Sequence, residues 1–318
     1  MVQQKPSLNG YTAMIVEVAR MYYDENLSQQ EIADKLKISR SSIAQYLRQA
    51  REFGIVRIEV VSPQDNCESI AYEIKRHTRL DHVHVVPGIH QYRELTMRAI
   101  AAEAAKYLEK TLKDGDVLGL AWGRTITRLA GLLAPSAPKQ VEVVPLMGER
   151  DYTGSYSQIN QIVLQTTSAL GGTPYFLLAP MFVGSRQLRD DMMADSSIRD
   201  VVQRWETLTV SLIGIGAVPP QEGSIVYVGE RYMQAMQDQG AVGDVCGRYF
   251  DNDGNLIDAE FYDRMISIDL DQLRKVKTVI AVAGGVEKMQ AVLASIKTGI
   301  YSVLIVDELL AKRILENI

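Results

Sequence analysis

From residue 82 onward, short continuously apolar runs alternate with stretches of helical periodicity, and this alternation narrows the fold more than any other feature of the chain. The runs His82–Val86, Val117–Ala121, Val141–Met147, Pro174–Ala179, Leu208–Ile215, Val279–Ala283 and Ser302–Val306 read as strands. Between them, Leu95–Leu112, Ile126–Leu133, Ile159–Ala169, Val286–Ile296 and Leu309–Leu315 repeat apolar residues at helical spacing. A strand that is apolar on both faces must be covered on both faces, which predicts a parallel sheet between layers of helix. The 318 residues are enough for two domains. Hydrophobic residues at 47% and charged residues at 23% are ordinary globular usage. No apolar run approaches the roughly 20 residues of a membrane span. The first six residues, Met1 to Pro6, have no apolar core, so no secretory signal and a cytoplasmic location are expected. Cys67 and Cys246 stand far apart and read as reduced thiols. The net charge of −5 argues against a chain that coats nucleic acid, so any contact with a polyanion has to be local.

One segment breaks the acidic rule. Residues 35 to 57 carry six bases (Lys35, Lys37, Arg40, Arg48, Arg51, Arg57) against the single acid Glu52. A solvated helix face can also be basic, so the helical grammar around the charges decides. Met14, Ile15, Val18, Ala19 and Tyr22 predict a first amphipathic helix. Ser28-Gln29-Gln30-Glu31 has the form of a capping box opening a short second helix that buries Ile32, Ala33 and Leu36. Lys37-Ile38 predicts a tight turn, Ser39 an N-cap, and Gly54 a stop for a third helix burying Ile43, Tyr46, Leu47 and Ala50. This is the helix-turn-helix pattern. The outer face of the third helix offers Arg40, Ser41, Ser42, Ala44, Gln45, Arg48 and Gln49. Arginine matches guanine acceptors, glutamine matches adenine, and hydroxyls serve bases or phosphates in the major groove. The residues expected to meet duplex DNA are Ser28, Gln29, Ser39, Arg40, Ser41, Ser42, Gln45 and Arg48. Ile55–Val60 reads as a short alternating strand, giving the head a winged-helix-like form. The polar stretch Ser62–Asn66 reads as a hinge, dividing the chain into 1–61 and 62–318.

In the larger part, ligands are expected beyond the carboxyl ends of the strands. Ala121-Trp122-Gly123-Arg124-Thr125 leaves a buried strand and starts a helix, with free amides, a guanidinium and a hydroxyl suited to a phosphate. Ala283-Gly284-Gly285 runs into Val286-Glu287-Lys288, placing an ammonium in the first turn of a helix, where an anion has to compensate it. Asp307 reads as an N-cap. Two such loops, each delivering a base, favour an anionic small ligand. Neither the Walker loop nor a dinucleotide glycine motif is present: Ile213-Gly214-Ile215-Gly216 lacks a third glycine and meets Pro219-Pro220. No nucleotide cofactor is expected. His82 and His84 share a strand face but lack a third metal ligand, and Asp251–Asn255 reads as a hairpin turn rather than a calcium loop.

Taken together, the motifs resemble those of the SorC family of bacterial sugar-responsive transcriptional regulators. The resemblance is carried by Leu27–Ala33, Ile38-Ser39-Arg40 and Ala50–Val56 in the head. In the body it is carried by Trp122–Thr125, Val242–Asp251, Ala283-Gly284-Gly285 with Lys288, and Val303–Asp307. It spans nearly the whole chain in the family's order. It implies a Rossmann-like α/β effector domain related to ribose-phosphate isomerases, glucosamine-phosphate deaminases and CoA transferases, without catalysis. It also implies a phosphorylated sugar or polyol as effector, and dimers or tetramers on palindromic operators of a carbohydrate or polyol catabolic operon, with repression the commoner outcome. By position, Gly123, Arg124 and Thr125 would grip the phosphate with Lys288 assisting, along with the Gly284-Gly285 turn. Gly148, Glu149, Asn160 and Asp244 would face the sugar. One departure stands out: where the family often has Gly-Gly, sometimes after a lysine, this chain has Met147-Gly148-Glu149. Without that lysine only non-covalent binding is expected there. A different class, a sugar-phosphate isomerase or deaminase with an accessory DNA-binding head, has loop acids available in Glu149, Asp244 and Asp307 but no acid–base pair at a diagnostic spacing. A ligand-free adaptor would leave the bases at the strand ends unexplained.

Overall fold

A computed structural model of the chain describes residues 8–56, 63–88, 92–135, 137–149, 159–219 and 230–318. The chain divides into two compact units, residues 1–62 and 63–318.

The first unit holds three helices, α1 (Leu8–Tyr23), α2 (Gln29–Leu36) and α3 (Arg40–Glu52). Ser28 caps α2: its hydroxyl accepts from the Glu31 amide at 3.3 Å while the Glu31 carboxylate accepts from the Ser28 amide at 2.8 Å. Those bonds hold the Glu31 carboxyl below its usual titration range. Helix α2 ends at Lys37 in the left-handed region, with φ 55°. Two residues later the Ser39 hydroxyl accepts from the Ser42 amide at 3.1 Å and opens α3. Gly54, at φ +69°, follows the end of α3. The turn between the two caps folds α3 back so that Val18, Ile32, Ile43 and Leu47 form one buried cluster. Ile15, Ala19 and Ala50 form a second. The expected wing strand falls largely on residues 57–60, outside the described residues.

The second unit opens with α4 (Pro63–His77), so the polar stretch expected to be a hinge is helical from Pro63 onward. Proline is at home there, since the first helical position needs no amide donor and favours its fixed φ. Seven parallel strands follow: β1 (His82–Val86), β2 (Val117–Leu120), β3 (Glu142–Pro145), β4 (Thr173–Pro174), β5 (Val210–Gly214), β9 (Thr278–Ala283) and β10 (Val303–Asp307). Their order is β1-β10-β9-β5-β2-β3-β4. The helices between them are α5 (Arg93–Thr111), α6 (Arg124–Ala130), α7 (Ile159–Leu170), α8 (Arg186–Ala194), α9 (Ser196–Gln203), α11 (Leu270–Lys275), α12 (Met289–Thr298) and α13 (Glu308–Leu315). Strands β9 and β10 are buried along almost their whole length, as their unbroken apolar runs require.

Three differences from the expectation have local causes. The run Pro174–Ala179 contributes only Pro174 to the sheet, paired together with Thr173 before it. Beyond Tyr175 the chain is captured by Asn160 of α7, whose amide group brackets Leu177 with two hydrogen bonds of 3.0 Å. Lys288 does not sit in the first turn of an α-helix. It closes a 3₁₀ turn, Val286–Lys288, and α12 begins at Met289. Between β5 and α11 an addition appears that periodicity did not indicate: β6 (Gly216–Ala217), α10 (Glu230–Asp238), β7 (Gly243–Val245) and β8 (Arg248–Phe250). The strands make a small antiparallel sheet in the order β6-β7-β8. Its own apolar cluster centres on Met236, Tyr249 and Phe261. The expected turn after Phe250 is present, with Asp251 accepting from the Asp253 and Asn255 amides at 2.9 Å and Phe250 bridging to Leu256.

Gly148, just past β3, leaves no room for a side chain. A Cβ there would stand 2.6 Å from the Ala179 carbonyl oxygen and from Pro180 backbone atoms. Gly148→Ala is therefore expected to destabilise the larger unit by about 1–3 kcal/mol through forced backbone movement. Ser28→Ala is expected to cost the smaller unit about 1 kcal/mol through the lost cap. Urea denaturation followed separately by probes in the two units checks both.

Candidate functional site

In the first unit, α3 buries Ile43, Leu47 and Ala50 and turns Arg40, Ser41, Gln45 and Arg48 to solvent. Neither Arg40 nor Arg48 has an acidic partner among the described residues. The serines are less free than the arginines. The Ser39 hydroxyl meets that of Ser41 at 2.7 Å and that of Ser42 at 2.8 Å, so the three close on one another over the helix start. Ser28 is held in its capping box, and Gln29 is half-buried in the first turn of α2. Gln49 accepts from the Tyr11 hydroxyl at 2.7 Å and faces α1 rather than solvent. Lys35 pairs with exposed Glu25 at 3.6 Å, and Arg57 lies outside the described residues. The groups left to reach a duplex from α3 are Arg40, Gln45 and Arg48, backed by Ser41.

In the second unit the strand order fixes where a ligand belongs. From β2 the chain moves outward through β3 to β4, then returns to place β5 on the other side of β2 and continues to β9 and β10. The order therefore reverses between β2 and β5, and the crevice beyond their carboxyl ends is the natural binding place of such a sheet. Gly123, Arg124 and Thr125 leave β2 there. Gly123 stands at the N-cap of α6 without a side-chain cap, and open space lies on the side where a Cβ would be. Thr125 is buried and Arg124 half-buried.

Lys288 arrives at the same crevice from β9. Its ammonium donates to the Ile215 carbonyl oxygen at 2.6 Å, just where the chain passes from β5 into the small sheet. Burial pushes its pKa down to about 8. Asp244 acts against that shift, Arg124 adds to it, Glu287 opposes it and Arg93 adds to it again. Lys288 thus lies within reach of the charges of both Asp244 and Arg124. Asp244 lies on β7 opposite Gly216, and its carboxylate also accepts from the Gly247 amide at 3.2 Å. A Cβ on Gly216 would stand 1.9 Å from Asp244 Oδ1, so the carboxylate fits only against a glycine. Arg93, at the start of α5, pairs with Glu287 at 2.9 Å. The sequence gives no sign of Arg93, because its partner is nearly 200 positions away.

The other expected contacts are spent on structure. The Gly285 amide donates to Asp307 Oδ2 at 2.8 Å, and Asp307 Oδ1 accepts from the Leu309 and Leu310 amides at 3.1 Å. Asp307 thereby caps α13 and pins the Gly284-Gly285 turn. At Gly284 a Cβ would stand 2.5 Å from Ile100 Cδ1, which identifies it as a packing glycine. Glu149 accepts from the Ile159 and Asn160 amides at 3.0 Å and so caps α7, while Asn160 is bound to Leu177. Gly148 is closed in by backbone. Glu149 and Asn160 thus serve each other's segment, and nothing brings them to Lys288. His84 bonds Glu103 at 2.8 Å, which lowers the Glu103 pKa, and packs on Tyr107. No cluster of three or more metal-ligating side chains occurs among the described residues.

Comparison with known proteins places both units. Residues 62–316 match the family described as "Putative sugar-binding domain", and residues 17–52 match "Sigma-70, region 4". The chain is similar to the deoxyribonucleoside regulator of Bacillus subtilis (strain 168), with 29% identity over 95% of this chain and 97% of that protein. It is similar to the transcriptional regulator YjhU of Escherichia coli (strain K12), with 30% identity over 92% of each. The crystal structure of the full-length sorbitol operon regulator SorC from Klebsiella pneumoniae superposes with a TM-score of 0.77 at 25% identity, covering 96% of this chain and 98% of that one. A helix-turn-helix head, a parallel α/β body and near full-length similarity agree: the chain belongs to the SorC family of sugar-binding transcriptional regulators.

Proposed function

We propose that this protein is a transcriptional regulator of carbohydrate or polyol catabolism whose hold on DNA is set by a phosphorylated sugar or polyol. The observation that carries the reading is the convergence of Arg124 and Lys288 at the switch point of the sheet, in a chain that is acidic overall. Two cations beside the half-buried turn at Gly123 and Arg124 fit a dianionic phosphate, and Asp244 is placed to accept from sugar hydroxyls. A phosphate arriving at Lys288 adds a second acceptor to an ammonium that already donates to the Ile215 carbonyl. Occupancy is thereby felt where the small sheet joins the main one. A ligand shifts DNA affinity only through unequal affinity for two arrangements of the protein, and this junction is the element we assign to that task.

The head binds a palindromic operator as part of a homodimer or homotetramer, with Arg40, Gln45 and Arg48 reading the major groove. Repression is the sense we assign, and the cytoplasm is the compartment. No helix among the described residues is long and apolar enough to cross a membrane. Binding without turnover is supported by Glu149 and Asp307, which are both engaged by helix amides rather than poised as bases.

Arg40→Ala and Arg48→Ala are each expected to weaken operator binding by about 1–3 kcal/mol with an unchanged thermal midpoint, measured by fluorescence anisotropy. Arg124→Ala is expected to keep operator binding and to lose its response to a panel of pentose and hexose phosphates. The same panel, assayed for turnover, is expected to yield none; turnover would establish the enzyme reading instead. The pH dependence has a definite sign. A phosphate needs Lys288 in its charged form, so affinity is expected to fall about tenfold per unit once pH rises above about 8, and Lys288→Arg flattens that fall. In the free protein the sign reverses. Burial disfavours the cation, so the folded form gains stability between about 8 and the ordinary lysine value of 10.5.

A further inference from the structure

At the opposite, amino-terminal end of the sheet lies a cavity of about 1010 Å³. It opens where the chain enters β1, β9 and β10, between the end of α4 and one side of α12. Leu80, Val276, Leu293, Ile296, Ile300 and Tyr301 supply apolar lining. The Tyr301 hydroxyl is shared with Ser295 at 2.9 Å, so it offers no polar group to the cavity floor. The basic side chains of the lining are His77, Arg79, Arg274, Lys277 and Lys297, no aspartate or glutamate side chain is among the lining residues, and Asn317 and Ile318 border it as well. In a chain with 39 acids and 34 bases, that exclusion is a marked local bias.

Helix dipoles account for part of it. Parallel strands put the carboxyl ends of their helices at this edge, and cations there are ordinary complements. His77, Arg274 and Lys297 stand in the last turns of α4, α11 and α12. They are also committed: His77 to the Glu73 carbonyl, Arg274 to Asp271, and Lys297 to the Asn252 carbonyl and Asp253. Arg79 and Lys277 have no such explanation. Both lie past the helices, on the segments that lead into β1 and β9. Both are exposed, and neither has an acidic partner among the described residues. Because β10 runs between β1 and β9, these two free cations stand on either side of the entry to β10, over the apolar lining.

We propose that this cavity is a second ligand site, taking a small organic anion with an apolar or aromatic body. Arg79 and Lys277 hold the anionic group and the lining between α12 and β10 receives the body. Thr78, Asn252, Gln290, Ser302 and Asn317 add uncharged polar lining, and an aryl or alkyl sulfonate, phosphate or carboxylate satisfies the apolar side chains and the two cations together. The volume lies at the upper end of small-molecule pockets, roughly 300–1,000 Å³.

The test uses the full chain and anilinonaphthalene sulfonate, a probe with one anionic group on an aromatic body. Saturable binding is expected, weakened about tenfold when Arg79→Ala and Lys277→Ala are combined. Arg124→Ala is expected to leave it unchanged, as is inorganic phosphate at matched ionic strength. Hydrogen exchange on the unaltered protein gives a second readout that does not depend on any variant folding: the probe is expected to slow exchange around residues 277–280 and 298–304. Unchanged affinity in the double variant, loss of binding in Arg124→Ala, or protection confined to residues 121–126 would each overturn the proposal.

Discussion

Every strand of the main sheet runs the same way, and the chemistry of the larger unit follows from that. A parallel sheet covered on both faces has only its two ends through which to meet a solute. Its carboxyl end collects the loops that start helices, and its amino end collects the loops that finish them. The reversal of strand order between β2 and β5 then opens a gap at one point of the carboxyl end, into which Arg124, Lys288 and Asp244 are delivered from β2, β9 and β7. None of these residues is near another in sequence, and none would meet the others without the pairing of β2 with β5 and of β5 with β9.

The Lys288–Ile215 bond is the most informative contact at that gap. An ammonium pulled far enough out of water for its pKa to fall to about 8 is costly to keep, and a single backbone carbonyl is modest compensation. Asp244 and Glu287 reduce the cost from two sides while Arg93 and Arg124 increase it. The arrangement resembles a charge held ready: the cation is retained where its own protein solvates it only in part, which is what the proposed anionic effector requires.

Much of this was legible from residues alone, for identifiable reasons. The capped helices of the head were readable because Ser28, Glu31 and Ser39 act over three residues, a range at which sequence and geometry coincide. Strands β2, β5, β9 and β10 were readable because burial on both faces writes largely unbroken apolar runs. Strand β4 misled because its apolar continuation, Phe176 to Ala179, is held by the side chain of Asn160 rather than by a ladder. The small sheet escaped notice because strands of two or three residues carry no period. In the crevice, Arg124 and Lys288 were visible as bases beside glycines. Glu149, Asn160 and the Gly284-Gly285 turn looked like contacts because helix caps and close-packed turns use the same residue types as ligand sites. Only the bonds distinguish them.

The cluster of hydroxyls at the start of α3, in which Ser39 bonds both Ser41 and Ser42, has a consequence for how such a head diversifies. Ser39, Ser41 and Ser42 secure the frame, Ile43 and Leu47 anchor it from beneath, and the side chains at positions 40, 45 and 48 are exposed to solvent. A scaffold that separates its fastening from its reading in this way can be recoded. Under the function proposed above, exchanging the exposed residues 40, 45 and 48 would change which promoter is recognised while leaving the buried frame of the head intact.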